Sequence, residues 1–209
     1  MKKLNLQTGI LSIIILLAAF TRIMPHPPNF SPMAAIGLFG AAHFAKKWQA
    51  FFIPLLGIWL SDLVINNFIY TSSDLNIVWF YNGFYWQYIS YVLIIFTGLF
   101  IFNKGVSLSK TFGGIVGSSG IFFLVSNFGV WASSGMYSKN IAGLISCYIA
   151  GIPFMNNTII SDFLFTTVLF GSYYLLQSEY SSLKIKPKLL LVDMPGLRSG
   201  LPNLACLTY

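Results

Sequence analysis

The stretch WQAFFIPLLGIWLSDLVINNF, from Trp48 to Phe68, decides how this chain is to be read. It stays apolar long enough to cross a bilayer core, which takes about 20 helical residues. Its one ionised side chain is Asp62, within Leu60-Ser61-Asp62-Leu63, and Asn66 follows four residues later on the same helix face. A charge at mid-bilayer costs at least about 2.5–3.5 kcal/mol on insertion scales, so its retention calls for a reason.

Moving outward from this stretch, the same pattern recurs. A first apolar segment covers roughly Gly9 to Met24 and is stopped by Pro25, Pro27 and Pro28. It could pass for a secretory leader, but it runs into Arg22 and a Pro-rich link with no small-residue cleavage site, and it reads as an uncleaved first helix. A second, short segment begins near Pro32 and is rich in Ala and Gly (Ala34, Ala35, Gly37, Gly40, Ala41), which predicts packing against other helices. Further spans are expected at Tyr85–Phe102, Thr111–Ser133 and Thr158–Gln177. Between the last two, Asn140 to Phe154 is too short to span comfortably and is expected to be re-entrant or interfacial. The 209 residues are 56% hydrophobic and 8% charged, against about 25% charged in a soluble domain. The expectation is an all-α integral membrane protein of about six transmembrane helices. Residues 1–183 would form one membrane domain and 184–209 a basic C-terminal tail.

Charge placement orients it. Twelve Lys and Arg face five acids, for a net charge of +7. Six crossings from a cytoplasmic N-terminus put Lys2, Lys3, Lys46, Lys47, Lys104, Lys110, Lys184, Lys186 and Lys188 inside, with Arg22 and Lys139 outside. The Trp- and Tyr-rich link from Ile69 to Phe84 carries no Lys or Arg and suits an outer interface. Both termini would then be cytoplasmic, in a bacterial inner or plasma membrane. Cations confined to short links lack the solvated basic stripe that nucleic acid requires, and nucleic-acid binding is excluded on that ground.

The remaining polar residues gather toward the outer end. They are Arg22 and Asn29 around the Pro-rich link, Asp62 and Asn66 in the third helix, and Asn127 with Trp131 in the fifth. Asn156 and Asp162 enter the sixth. Such a cluster walled by aromatic residues describes a site open to the outside for a small molecule. Each residue also has a structural reading. Arg22 and Asp62 relieve each other's burial if they pair. Asp162 near a helix start is favoured by the macrodipole. Asn127 suits an interhelical hydrogen bond, and Gly37 with Ala41 and Gly113 with Gly117 suit close helix packing.

Enzymatic chemistry is hard to build from this inventory. His26 and His43 cannot form an HExxH zinc site, no GxSxG elbow occurs, and Cys147 and Cys206 stand apart with no CxxC. Asp62 and Asp162 could form a carboxylate pair, but no electrophile clamp accompanies them. Asp193-Met194-Pro195-Gly196 has no phosphate-cradling loop upstream, so no nucleotide site is read there. No metal or cofactor is called for.

The string Arg22-Ile23-Met24-Pro25-His26-Pro27-Pro28-Asn29-Phe30-Ser31-Pro32, running on to Leu38-Phe39-Gly40, is unusual. Together with Leu60-Ser61-Asp62, Ser126 to Trp131 and Gly151-Ile152-Pro153-Phe154, it resembles a family of uncharacterised bacterial membrane proteins similar to the substrate-binding (S) components of energy-coupling-factor (ECF) transporters. The likeness covers roughly Thr8 to Leu176, and the tail departs from it. It implies a six-helix, S-component-like bundle that takes a vitamin or other micronutrient from outside. The partners implied are a membrane coupling subunit and cytoplasmic ATPases, since this chain carries no Walker motif. The alternative is a structural or assembly subunit of a larger membrane complex.

Overall fold

The computed structural model describes residues 2–70, 76–180 and 183, and these form six α-helices with no strand among them. The tail expected over 184–209, including Cys206, lies outside the described residues. Helix α1 runs Lys2–Phe20 and continues as a 3-10 turn, Thr21–Ile23, before the proline run ends it. Helix α2 is Met33–His43 and α3 is Lys47–Val64, which carries on as a π turn over Ile65–Ile69. Helices α4 (Phe84–Ile101), α5 (Leu108–Ser133) and α6 (Ile141–Glu179) complete the bundle. Five of the six are long and apolar enough to cross a membrane, and α2 is not.

Helices successive along the chain alternate in direction. Gly57 of α3 faces Ile15 and Ala19 of α1, and Arg22 meets Ser61 and Asp62 one turn further on, so α1 and α3 run parallel. Asp62 pairs with Tyr88 while Phe51 meets Phe96, so α3 and α4 run antiparallel. Trp86 packs on Gly129 and Tyr91 on Phe122, and Asn127 faces Gly151 while Ser119 faces Asp162, which carries the alternation through α5 and α6. The ends of α1, α3 and α5 therefore lie with the starts of α2, α4 and α6. Lys46, Lys47, Lys104 and Lys110 sit in or beside the links at the opposite end.

Helix α2 is the axis. Every residue from Met33 to Ala41 is buried, and it packs against each of the other five helices. A helix apolar on all sides belongs in such a position. Close approach is met by missing side chains: a Cβ on Gly40 would lie 2.7 Å from Pro54 Cγ, and one on Gly98 would lie 2.7 Å from Ala41. His43, half-buried at the end of α2, packs on Phe39, Phe170 and Tyr173, with ring centroids 4.5, 5.0 and 4.7 Å away.

The largest correction concerns α6. Asn140–Phe154 is not a separate re-entrant segment, because one helix of 39 residues runs from Ile141 to Glu179 through Pro153. The Asn140 side chain caps its start, accepting from Gly143 N at 2.8 Å. Pro153 removes one backbone donor, and packing on α5 holds the helix through it. Tyr148 donates to Leu124 O at 2.8 Å and Cys147 to Asn127 O at 3.3 Å. At 1.5 Å per residue α6 is about 58 Å long, well beyond a ~30 Å hydrocarbon core.

A carboxamide-lined cavity and two buried carboxylates

A cavity of about 500 Å³ opens at the end of the bundle where α4 and α6 begin and α5 stops. Its wall carries the carboxamides of Asn29, Asn82, Gln87 and Asn127, the hydroxyls of Ser126 and Ser133, and the rings of Tyr81, Trp86 and Phe122. Among the described residues that line it there is no Lys, Arg, Asp or Glu. Volume and lining both fall within the range of small-molecule sites.

Local structure places each group. Asn29 adopts φ 61°, a left-handed conformation that Asn tolerates better than most residues, and it turns the Pro-rich link over the cavity. Asn157 Nδ2 ties that link to α6 by donating to Pro28 O at 3.0 Å. Gly83, at φ 78°, starts α4 and is followed by Trp86, whose indole N–H donates to Ser133 Oγ at 2.7 Å. Gln87 Oε1 accepts from Tyr81 at 2.7 Å and from Tyr91 at 3.5 Å, which leaves its N–H2 group without a protein partner among the described residues. Burial first, and then the fields of Tyr91 and Asp62, push the Tyr81 phenol well above its ordinary value. Tyr81 therefore stays a proton donor.

Asn127 donates to Phe123 O of its own helix at 2.8 Å, and its amide lies against Gly151, where a Cβ would be 2.9 Å from Asn127 Cγ. Asn29 and Asn127 thus share the cavity wall. The structure does not bring the other named residues to it. Trp131 donates to Ser138 O at 3.0 Å with Lys139 Nζ 5.6 Å from its ring centroid, and Lys139 also bonds Trp131 O, so this pair fastens the α5–α6 link. Asn156 is exposed, and Asn66 is half-buried in the π turn.

Arg22 and Asp62 form a buried ion pair. Nη1 of Arg22 donates to Asp62 Oδ1 at 2.5 Å and to Ser61 Oγ at 2.9 Å, while Tyr88 donates to Asp62 Oδ2 at 2.8 Å. Their side chains are 15% and 7% exposed, so two charges are removed from solvent together and both carboxylate oxygens are bonded. Asp162 stands elsewhere, in the middle of α6 rather than near its start, so the macrodipole reading fails because that effect fades within the first turn. Only 1% exposed, Asp162 accepts from Ser119 at 2.6 Å.

Among the described residues no group of three or more His, Cys, Asp or Glu is arranged to hold a metal ion. Sequence reasoning missed Tyr81, Trp86, Gln87 and Tyr88. Gln87 alone carried a signal, as an amide set inside an apolar run.

No curated protein and no solved structure matches the chain. A model of a family of unknown function, DUF6580, matches residues 2–186, and the chain belongs to that family.

Proposed function

We propose that the protein captures a small uncharged solute in the carboxamide-lined cavity as the substrate-binding part of an uptake system. The observation that carries this reading is the cavity wall: four carboxamides and several aromatic rings around about 500 Å³, with no formal charge among the described lining residues. Amides offer donors and acceptors at fixed directions, rings offer flat apolar faces, and together they suit a planar, hydrogen-bonding molecule of vitamin size. Arg22 and Asp62 act in this reading as a brace, since each already satisfies the other. The lysines at the opposite end of the bundle favour a cytoplasmic placement for that end and an outward-facing cavity.

The resemblance to ECF S components supports the same role and supplies the partners, a membrane coupling subunit and cytoplasmic ATPases that energise passage. Native mass spectrometry of the purified protein, with released molecules identified by fragmentation, tests the proposal. An uncharged small molecule should co-purify and be lost in Asn127→Ala and in Gln87→Leu. A wild-type protein retaining only lipid or a stable protein partner would replace this reading with that of an assembly subunit. One feature favours that second reading: Gly113 and Gly117 present a small-residue face on α5 with none of the described residues within 4 Å of a Cβ at either position.

A further inference from the structure

Below the cavity, α5 and α6 bury a second polar layer. Phe154 lines the cavity, and Asp162 lies roughly 12 Å further along α6 at 1.5 Å per residue. On α5 the same descent leads from Asn127 to Ser119. Ser118, Ser119, Thr158, Ser161, Asp162 and Thr166 are all buried here.

Most of these hydroxyls are satisfied within their own helix. Ser118 donates to Ile115 O, Ser161 to Thr158 O and Thr158 to Phe154 O. Thr166 is the exception. It is 1% exposed, lies one turn beyond Asp162 on the same face of α6, and its hydroxyl has no partner among the described residues. A helical Thr ordinarily returns its hydroxyl to the carbonyl four residues back, which here is that of Asp162. Asp162 is under-supplied as well. A carboxylate offers about four lone-pair sites, and among the described residues this one receives a single hydrogen bond, from Ser119.

Among the described residues nothing nearby neutralises it. The Arg22–Asp62 pair is the one ion pair among the described residues, and it balances itself. The described groups facing this layer from each packed helix add no cation. Helix α4 contributes Tyr91, which lies within the electrostatic reach of both Arg22 and Asp162. Helix α5 contributes Ser118 and Ser119. His43 of α2 packs on Phe170 and Tyr173, roughly 12–17 Å along α6 from Asp162, and Gln7 of α1 bonds Tyr173. A lone carboxylate in a bilayer interior cannot stay both charged and uncompensated.

We propose that Asp162, Ser119 and Thr166 form a site for one exchangeable monovalent cation, a proton or a sodium ion, at the α5–α6 interface beneath the cavity. One carboxylate balances one positive charge, which disfavours a divalent ion. Hydroxyl and carboxylate oxygens are the hard donors a small cation takes. Thr166 supplies the open oxygen that the helix does not use.

Infrared spectroscopy of the wild-type protein in lipid nanodiscs, with sodium or choline as the only salt cation, tests this. In the proton case, a protonated-carboxyl band should titrate between acid and alkaline pH, be lost in Asp162→Asn, and ignore sodium. In the sodium case, the band should fall saturably with sodium and not with choline, and Thr166→Val should weaken that response about tenfold. A band that neither titrates nor answers to sodium, or the absence of any Asp162-dependent band with no sodium response, overturns the proposal. If Asp162→Asn does not fold, Ser119→Ala keeps the carboxyl group and should shift the band. An unshifted band would belong to another carboxyl and overturn it equally. The test does not depend on whether the cavity binds a solute.

Discussion

Substituting Gly129 by alanine isolates the contact on which one cavity wall is built. A Cβ there would lie 2.6 Å from Trp86 Cβ and 2.7 Å from Cδ1, about 0.8 Å inside an ordinary 3.4 Å contact. Trp86 Cβ is fixed to the α4 backbone, so either the two helices part or the indole leaves its rotamer and gives up the 2.7 Å bond to Ser133. Overpacking of this kind costs about 1–3 kcal/mol and the lost hydrogen bond about 1, against a helix-propensity gain of about 1 for Gly→Ala. The net loss of about 1–3 kcal/mol corresponds to a melting point lower by about 2–12 °C in a chain of this size. Gly117→Ala on the same helix is the control, because nothing lies within 4 Å of its Cβ and only the propensity gain applies. Thermal unfolding followed by tryptophan fluorescence in detergent reads both. Equal melting points for the two variants would refute the reasoning, and a Gly117→Ala protein less stable than Gly129→Ala would reverse it.

Two more substitutions test neighbouring parts of the site. Asp62→Leu or Arg22→Met alone leaves a buried charge without its partner and should cost about 3–5 kcal/mol, whereas the double variant should recover most of that loss; unfolding titrated with SDS would show a simple sum if the pair were not coupled. Gly151→Ala places a Cβ 2.9 Å from Asn127 Cγ and 3.0 Å from its Nδ2, which turns the amide off Phe123 O at a cost of about 1 kcal/mol that alanine's helix-propensity gain of about 1 kcal/mol offsets. Solute retention in native mass spectra should then fall with little change in melting, and full retention would count against Asn127 as a contact.

What the sequence made legible was what periodicity and cost encode. Long apolar runs announced α1, α3, α4 and α5, and the Ala- and Gly-rich composition of α2 announced its burial. The pairing of Arg22 with Asp62 was readable as one of two roles, because two opposite charges in apolar surroundings have few other ways to be satisfied. The continuity of α6 was not readable. Pro153 with Asn156 and Asn157 looks like a break in isolation, and it is contacts from Tyr148, Cys147 and Gly151 to α5 that override the local preference. The cavity was legible only in part. Asn29 and Asn127 were identified by their polarity, while Tyr81 and Trp86 blend into an aromatic-rich link and helix start. Trp131 and Asn156 have the right chemistry for a ligand, but Trp131 is tied to Ser138 and Lys139 and Asn156 is exposed outside the cavity wall.

The shortness of α2 has a consequence for leakage. Eleven residues reach about 16 Å, roughly half the thickness of a hydrocarbon core. Its start lies level with the early turns of α4, since Gly37 meets Ile94 and Ile95 and Gly98 meets Ala41. The vestibule walled by Trp86 and Gln87 occupies the turns that a full-length central helix would have filled. The helix that remains is a stopper, buried from Met33 to Ala41 against all five of the other helices. Vesicles carrying the protein alone should therefore hold a voltage as tightly as bare lipid.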